Sequence, residues 1–151
     1  MKVKLEKLLK ELEMSDMEEM GVLIHFPTGE CLVYSDDELR KAERVYDGED
    51  IPLLEWEKPQ IQKLLNFIEH DDDYFQLPSF QDLDEYQLME VFAYKMNNDK
   101  LLQDLRGRGV FRRFKDNLAQ FDLWKEWELF RKQAMKKVLI KWCEDHQFDF
   151  E

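Results

Sequence analysis

Arg106 to Asp116, written Arg-Gly-Arg-Gly-Val-Phe-Arg-Arg-Phe-Lys-Asp, is the stretch around which the rest of this chain is arranged. Gly107 and Gly109 free the backbone to adopt positive φ, so they punctuate a helical sequence and set up a new helix start at Val110. From there Phe111, Phe114, Leu118 and Phe121 recur at helical spacing, which predicts a helix to Phe121 with Phe111 and Phe114 in the core and the arginines on its flanks. Leu123, Trp127, Phe130, Ala134, Val138 and Trp142 form a second stripe, predicting a helix from Leu123 to Asp145. Upstream, Asp82 to Met96 reads as a helix, Asn97-Asn98-Asp99 interrupts it, and Lys100 to Leu105 supplies one more helical turn.

The N-terminal half has a different period. Lys2 to Glu19 spaces Leu5, Leu8, Leu9 and Leu12 as one helical face. Val22 to Phe26 and Glu30 to Tyr34 are rich in β-branched and aromatic residues, with Pro27-Thr28-Gly29 between them, the pattern of a β-hairpin. Ser35 with Glu38 forms a capping-box pair opening a helix to Val45. Ile51 to Trp56 contains Pro52 and reads as either a short edge strand or an extended link. Pro59 suits the first turn of a helix carrying Ile61, Leu64, Leu65 and Ile68, and Tyr74 to Phe80 reads as a short strand entering a loop. Gln147 to Glu151 is expected to be a tail. The fold class is therefore α+β and predominantly helical, with an N-terminal helix and β-hairpin and a helical C-terminal half. One domain over 1–151 is expected, β-containing to about residue 80 and helical from about 81.

Charge restricts the partners. The 151 residues carry a net charge of -12. Such a chain repels nucleic acid and anionic membrane surfaces over long range. Against that background Arg106, Arg108, Arg112, Arg113 and Lys115 outweigh Asp116 by +4, leaving -16 on the remainder. Two cysteines, Cys31 and Cys143, are too few for a disulfide framework. The first residues lack the continuous apolar run of a signal peptide, and no stretch reaches the roughly 20 apolar residues of a membrane span. The expected localisation is cytoplasmic.

Arginines beside a helix start combine forked cationic donors with free backbone N–H groups, the parts of a site for a carboxylate or phosphate. The same arginines also suit internal ion pairs with Asp36 to Glu38, Glu49-Asp50 or Asp71 to Asp73, which would make the segment a structural clamp. The glycine spacing matches neither a P-loop nor a dinucleotide fingerprint. His25 and Cys31 lie inside strands and do not make a structural zinc set, which takes four ligands. His70-Asp71-Asp72-Asp73 could hold a divalent cation but lacks the calcium-loop pattern, so it reads as a solvated acidic turn. Cys143 and His146 have helical spacing for a thiolate pair, but without a glycine turn or oxyanion donor they read as tail residues. Trp124 lies off the main stripe and, if exposed, marks a protein-binding patch.

The run Gly107-Arg108-Gly109-Val110-Phe111-Arg112-Arg113-Phe114-Lys115-Asp116 resembles the signature of a bacterial family, Uncharacterised Protein Family 0158, in which Ala is usual where Val110 stands. Trp127, Phe130-Arg131, Leu77-Pro78, Glu85-Tyr86, Met89-Glu90-Val91-Phe92, Leu12-Glu13-Met14 and Thr28-Gly29 extend the likeness. Residues 47–70 fit it loosely. The resemblance implies a small α+β domain of the bacterial cytoplasm and brings no activity with it.

The leading functional expectation is a non-enzymatic binding or regulatory module. It would engage an acidic protein segment or small anion through Arg106, Arg108, Arg112, Arg113 and Lys115. The alternatives are nucleic-acid binding through the same arginines, with aromatic side chains stacking on bases, and a metal-dependent hydrolase at Asp71 to Asp73. No catalytic residue, metal ligand or cofactor is assigned, and no membrane partner is expected.

Overall fold

In the computed structural model, which describes residues 2–17 and 19–151, the first helix starts later than its charge pattern suggests. Lys2–Val3 is a short strand, β1, and α1 runs from Leu5 to Met17. Leu5, Leu8, Leu9 and Leu12 are buried as their spacing requires. Ser15 is buried with them, and its hydroxyl donates to the Leu12 carbonyl at 3.0 Å, so no polar group is stranded.

The chain packs as two compact units, one made of residues 1–80 and 139–151 and the other of 81–138. The first is built on a three-stranded sheet. β2 (Gly21–His25) and β3 (Cys31–Tyr34) form the expected hairpin, paired from Gly21↔Tyr34 to Ile24↔Cys31. Gly29 sits at φ 75° in its loop, where a side chain would be strained.

The strand read at Tyr74 is β4 (Tyr74–Gln76), which pairs antiparallel with the other edge of β2 and places His25 opposite Tyr74. β2 is thus central, in the order β3-β2-β4. Its alternation sends Leu23, with Leu32 of β3, into a cluster with Ala42 of α2 (Asp36–Tyr46) and Ile61 and Leu64 of α3 (Lys58–Glu69). Val22 and Ile24, on the opposite side of the strand, are buried as well.

Ser35 caps α2 as expected: its hydroxyl accepts from the Glu38 N–H at 3.2 Å, and the Glu38 carboxylate accepts from the Ser35 N–H at 2.9 Å. Ser35→Ala is expected to cost about 1 kcal/mol in urea denaturation, while Ser35→Asp retains most of that amount. Equal midpoints for wild type and Ser35→Ala would remove the cap from the account of this unit's stability.

Residues 51–56 pair with no strand among the described residues, so this stretch is the extended link. Glu57 fastens its end, accepting from Lys41 Nζ at 2.6 Å and from the Leu54 N–H at 3.2 Å. The Lys41 hydrogen bond holds the Glu57 carboxyl below its ordinary range.

Gln147 to Glu151 is not a loose tail. Asp149–Phe150 is β5, paired parallel with β1, and the Glu151 N–H donates to the Val3 carbonyl at 2.9 Å. Phe148 is buried and packs edge-on against Phe26 and Phe75, with ring centroids 5.5 and 5.4 Å away, and stacks on Trp142. Strands of two residues carry no readable period, and their pairing joins opposite ends of the chain.

The second unit is helical: α4 (Glu85–Lys95), α5 (Asp99–Gln103), α6 (Val110–Gln120) and the first turns of α7 (Trp124–Asp145). Asp84 and Asn98 cap α4 and α5, accepting from the N–H groups of Gln87 and Leu101 at 3.1 Å each. Met89, Phe92, Ala93, Leu101, Leu105, Phe114, Leu118 and Trp127 make its core.

The α7 stripe differs from the expected one. Trp127 is buried, but further along the fully buried side chains are Met135, Leu139 and Cys143, each one position beyond Ala134, Val138 and Trp142, which are half-buried. Both lines have helical spacing on a 22-residue helix with apolar residues on several sides, and only packing chooses between them.

Candidate functional site

α5 ends at Gln103 and α6 begins at Val110, with a run of turns and bends between them. Gly107 at φ 80° and Gly109 at φ 73° lie in this loop, both in the left-handed region that favours glycine. A short loop of this kind exposes carbonyl groups that no helix uses. Arg113, one turn into α6, collects them. Its Nε donates to the Asp104 carbonyl at 3.2 Å, and its two terminal nitrogens donate to the carbonyls of Arg106 and Arg108. One guanidinium therefore staples both ends and the middle of the glycine loop. The planar fork suits this task, since its donors diverge at fixed angles.

A second layer lies beneath. Asn117, buried on α6, donates to the Asp104 carboxylate at 2.8 Å, and Lys100 lies 3.3 Å from the same carboxylate. The Asn117 hydrogen bond, reinforced by Lys100 and the nearby Arg113, holds Asp104 below the ordinary carboxylate range. The Tyr86 hydroxyl donates to the Leu105 carbonyl at 2.8 Å, tying α4 to the same turn. Asp104, Asn117 and Tyr86 were not anticipated as parts of the segment. The i, i+3, i+4 relation of Phe114, Asn117 and Leu118 carried the signal, because an Asn on a buried stripe requires a polar partner.

The five expected cations separate into two roles. Arg113 is half-buried and committed to backbone carbonyls, not to carboxylates. Arg106, Arg108, Arg112 and Lys115 are exposed, with no ion pair or side-chain hydrogen bond among the described residues.

Phe111 corrects the expectation that both phenylalanines are core. Phe114 is 2% exposed but Phe111 is 55% exposed. On the helix Phe114, Asn117 and Leu118 face inward. Phe111 falls at the edge of that arc, in the first turn, and lies on the outer side with Lys115, four residues on. Trp124 is partly exposed, at 39%.

The other expected chemistries find no such geometry. Cys143 is fully buried in α7, and burial pushes its thiol up. His146 does not meet it: its ring stacks on Trp142, with Nδ1 2.8 Å from the Trp142 carbonyl oxygen. Burial also raises the Cys31 thiol to about 11, with Glu11 adding to the effect, which leaves it protonated at neutral pH. Asp71–Asp73 forms a single 3-10 turn. Among the described residues no group of three or more His, Cys, Asp or Glu is arranged to hold a metal ion. No helix among them is long and apolar enough to cross a membrane.

Comparison with protein-family models, curated proteins and solved structures returned no match.

Proposed function

We propose that Arg106, Arg108, Arg112 and Lys115, with Phe111 among them, form a recognition surface for an acidic protein segment, and that Arg113 shapes the loop that presents them. On this reading the protein is a non-enzymatic binding or regulatory module. The observation that carries it is four exposed cations without partners among the described residues, beside an exposed phenyl ring. A lone anion needs converging donors. A phenyl ring among spaced cations instead suits an extended segment that alternates carboxylates with apolar side chains.

The charge distribution favours the same partner. Residues 81–138 hold twelve Lys and Arg against ten Asp and Glu, a net +2, while the other unit holds ten against twenty-four, a net -14. An acidic segment is thus attracted to one unit and repelled by the other, which orients its approach. The signature that resembles Uncharacterised Protein Family 0158 includes Arg108, Phe111, Arg112 and Lys115, and we extend the proposal to membership of that family and to its bacterial cytoplasmic setting.

Fluorescence anisotropy with a labelled peptide of alternating Glu and Phe tests the reading, with a Lys/Phe peptide, inorganic phosphate and single-stranded DNA as comparators. The Glu/Phe peptide is expected to bind and to weaken with salt. The triple variant Arg108→Glu, Arg112→Glu, Lys115→Glu is expected to lose at least roughly tenfold in affinity with unchanged melting. Equal binding by the triple variant, or no binding of the peptide, overturns the proposal. Preferential binding of DNA with a steep salt slope would replace it by the nucleic-acid reading.

A further inference from the structure

β2 and β4 place His25 opposite Tyr74, and their rings lie 4.6 Å apart. Above them, toward α3, is a cavity of about 400 Å³, the size of small-molecule sites. It lies wholly within the unit built on the three-stranded sheet, away from the arginine segment in sequence and unit.

Its polar lining is partly organised. The Asn66 side-chain amide donates to the hydroxyl of Tyr74, a lining residue, at 2.7 Å, which leaves the Tyr74 O–H available as a donor. Thr28 Oγ1 lies 2.7 Å from His25 Nδ1 and also accepts the Glu30 N–H at 3.3 Å, fixing the imidazole against the hairpin loop. Glu30 and Lys63 line the same space from opposite elements, the hairpin and α3. Neither side chain has an ion-pair partner among the described residues, and they do not pair with each other.

Two unpaired, opposite charges among the residues that border one cavity offer a ligand both a negative and a positive partner. A ligand that fills it best carries the complementary pair. We infer that this cavity binds a small zwitterion of amino-acid size. Its carboxylate is held by the Lys63 ammonium and the Tyr74 hydroxyl, and its ammonium by the Glu30 carboxylate. A polyanion such as a nucleoside phosphate is disfavoured by Glu30 and by the net -14 of this unit. The Tyr74 ring and the buried Leu32 give an apolar wall for the ligand's side chain.

The test is a 1H–15N NMR titration of the full chain with a panel of free amino acids, alongside acetate and ethylamine, which carry one charge each. At least one amino acid is expected to give saturable shifts confined to residues 25–32, 62–66 and 74. Acetate and ethylamine are expected to bind at least roughly tenfold more weakly, since acetate forgoes the contact with Glu30 and ethylamine those with Lys63 and Tyr74. Lys63→Met and Glu30→Gln, both at exposed positions that leave the core intact, are expected to weaken the amino acid by a similar factor. Absence of saturable shifts for the whole panel overturns the inference, as does binding that both variants leave unchanged. Acetate binding as tightly as the amino acid reduces the site to a carboxylate site and overturns the role of Glu30. A negative result here leaves the acidic-segment reading standing, because that surface lies in the other unit and is read by anisotropy.

Discussion

Phe92→Ala is expected to lower the stability of residues 81–138 by about 3–5 kcal/mol, the range for deleting a buried aromatic ring. Phe92 is fully buried at the centre of its unit. Its ring lies 6.2 Å from Phe114 and 5.3 Å from Trp127, both edge-on, and 5.5 Å from Phe130. Removing it costs the transfer of the ring and leaves a void between three helices. It also breaks aromatic pairs that each contribute about 0.5–1.5 kcal/mol beyond area. Trp127 stands in that cluster, so its fluorescence reports the loss, and calorimetry should show the transition falling by about 10 °C or more. The control is Tyr94→Ala on the same helix, 67% exposed, expected within about 0.5 kcal/mol of wild type. Equal effects from the two changes would mean that the aromatic cluster does not hold α4, α6 and α7 together.

Arg113→Ala is expected to cost about 2–3 kcal/mol, an unusually large amount for a half-buried arginine on a helix. Its guanidinium answers the carbonyls of Asp104, Arg106 and Arg108 at once, and alanine leaves all three to water while the glycine loop keeps its two left-handed residues. Arg113→Lys should recover little, because an ammonium is a point donor and cannot span three diverging acceptors. Arg112→Ala, next to it but exposed, is expected to change stability by less than about 0.5 kcal/mol. Hydrogen exchange gives the local reading: Arg113→Ala should speed exchange over residues 105–113 more than elsewhere. If Arg112→Ala and Arg113→Ala prove equally costly, the staple contributes nothing specific.

The two changes probe features of different legibility. The Phe114-Leu118 and Met89-Ala93 spacings identify helices and their inward faces, because a 3.6-residue period is written locally. The hairpin is equally plain in its β-branched runs, Pro27 and Gly29. What could not be read is which of two plausible stripes wins. Phe111 has the spacing of a core residue but lies in the first turn of α6, past the edge of its packing arc. On α7, Met135, Leu139 and Cys143 are the fully buried line, while Ala134, Val138 and Trp142, one position earlier, are half-buried, a choice the helical period alone does not make.

The candidate site divides the same way. The cluster of cations and the helix start behind Gly109 are visible in sequence. That Arg113 alone turns back onto the loop is a matter of rotamer and carbonyl direction. The cavity beside His25 was further out of view, since it joins Thr28, Lys63 and Tyr74, three residues in separate elements with no motif between them.

The central place of β2 has a consequence for how the chain is made. Its first partner, β3, follows within a few residues and can pair as soon as both have been synthesised. Its second, Tyr74–Gln76, arrives only after α2 and α3 are complete. Until then the edge running Leu23-Ile24-His25 has open N–H and C=O groups and apolar side chains, the profile that invites pairing with another nascent chain. The acidic residues that bracket this interval, from Asp36 through Asp73, would keep such chains apart by repulsion while that edge waits.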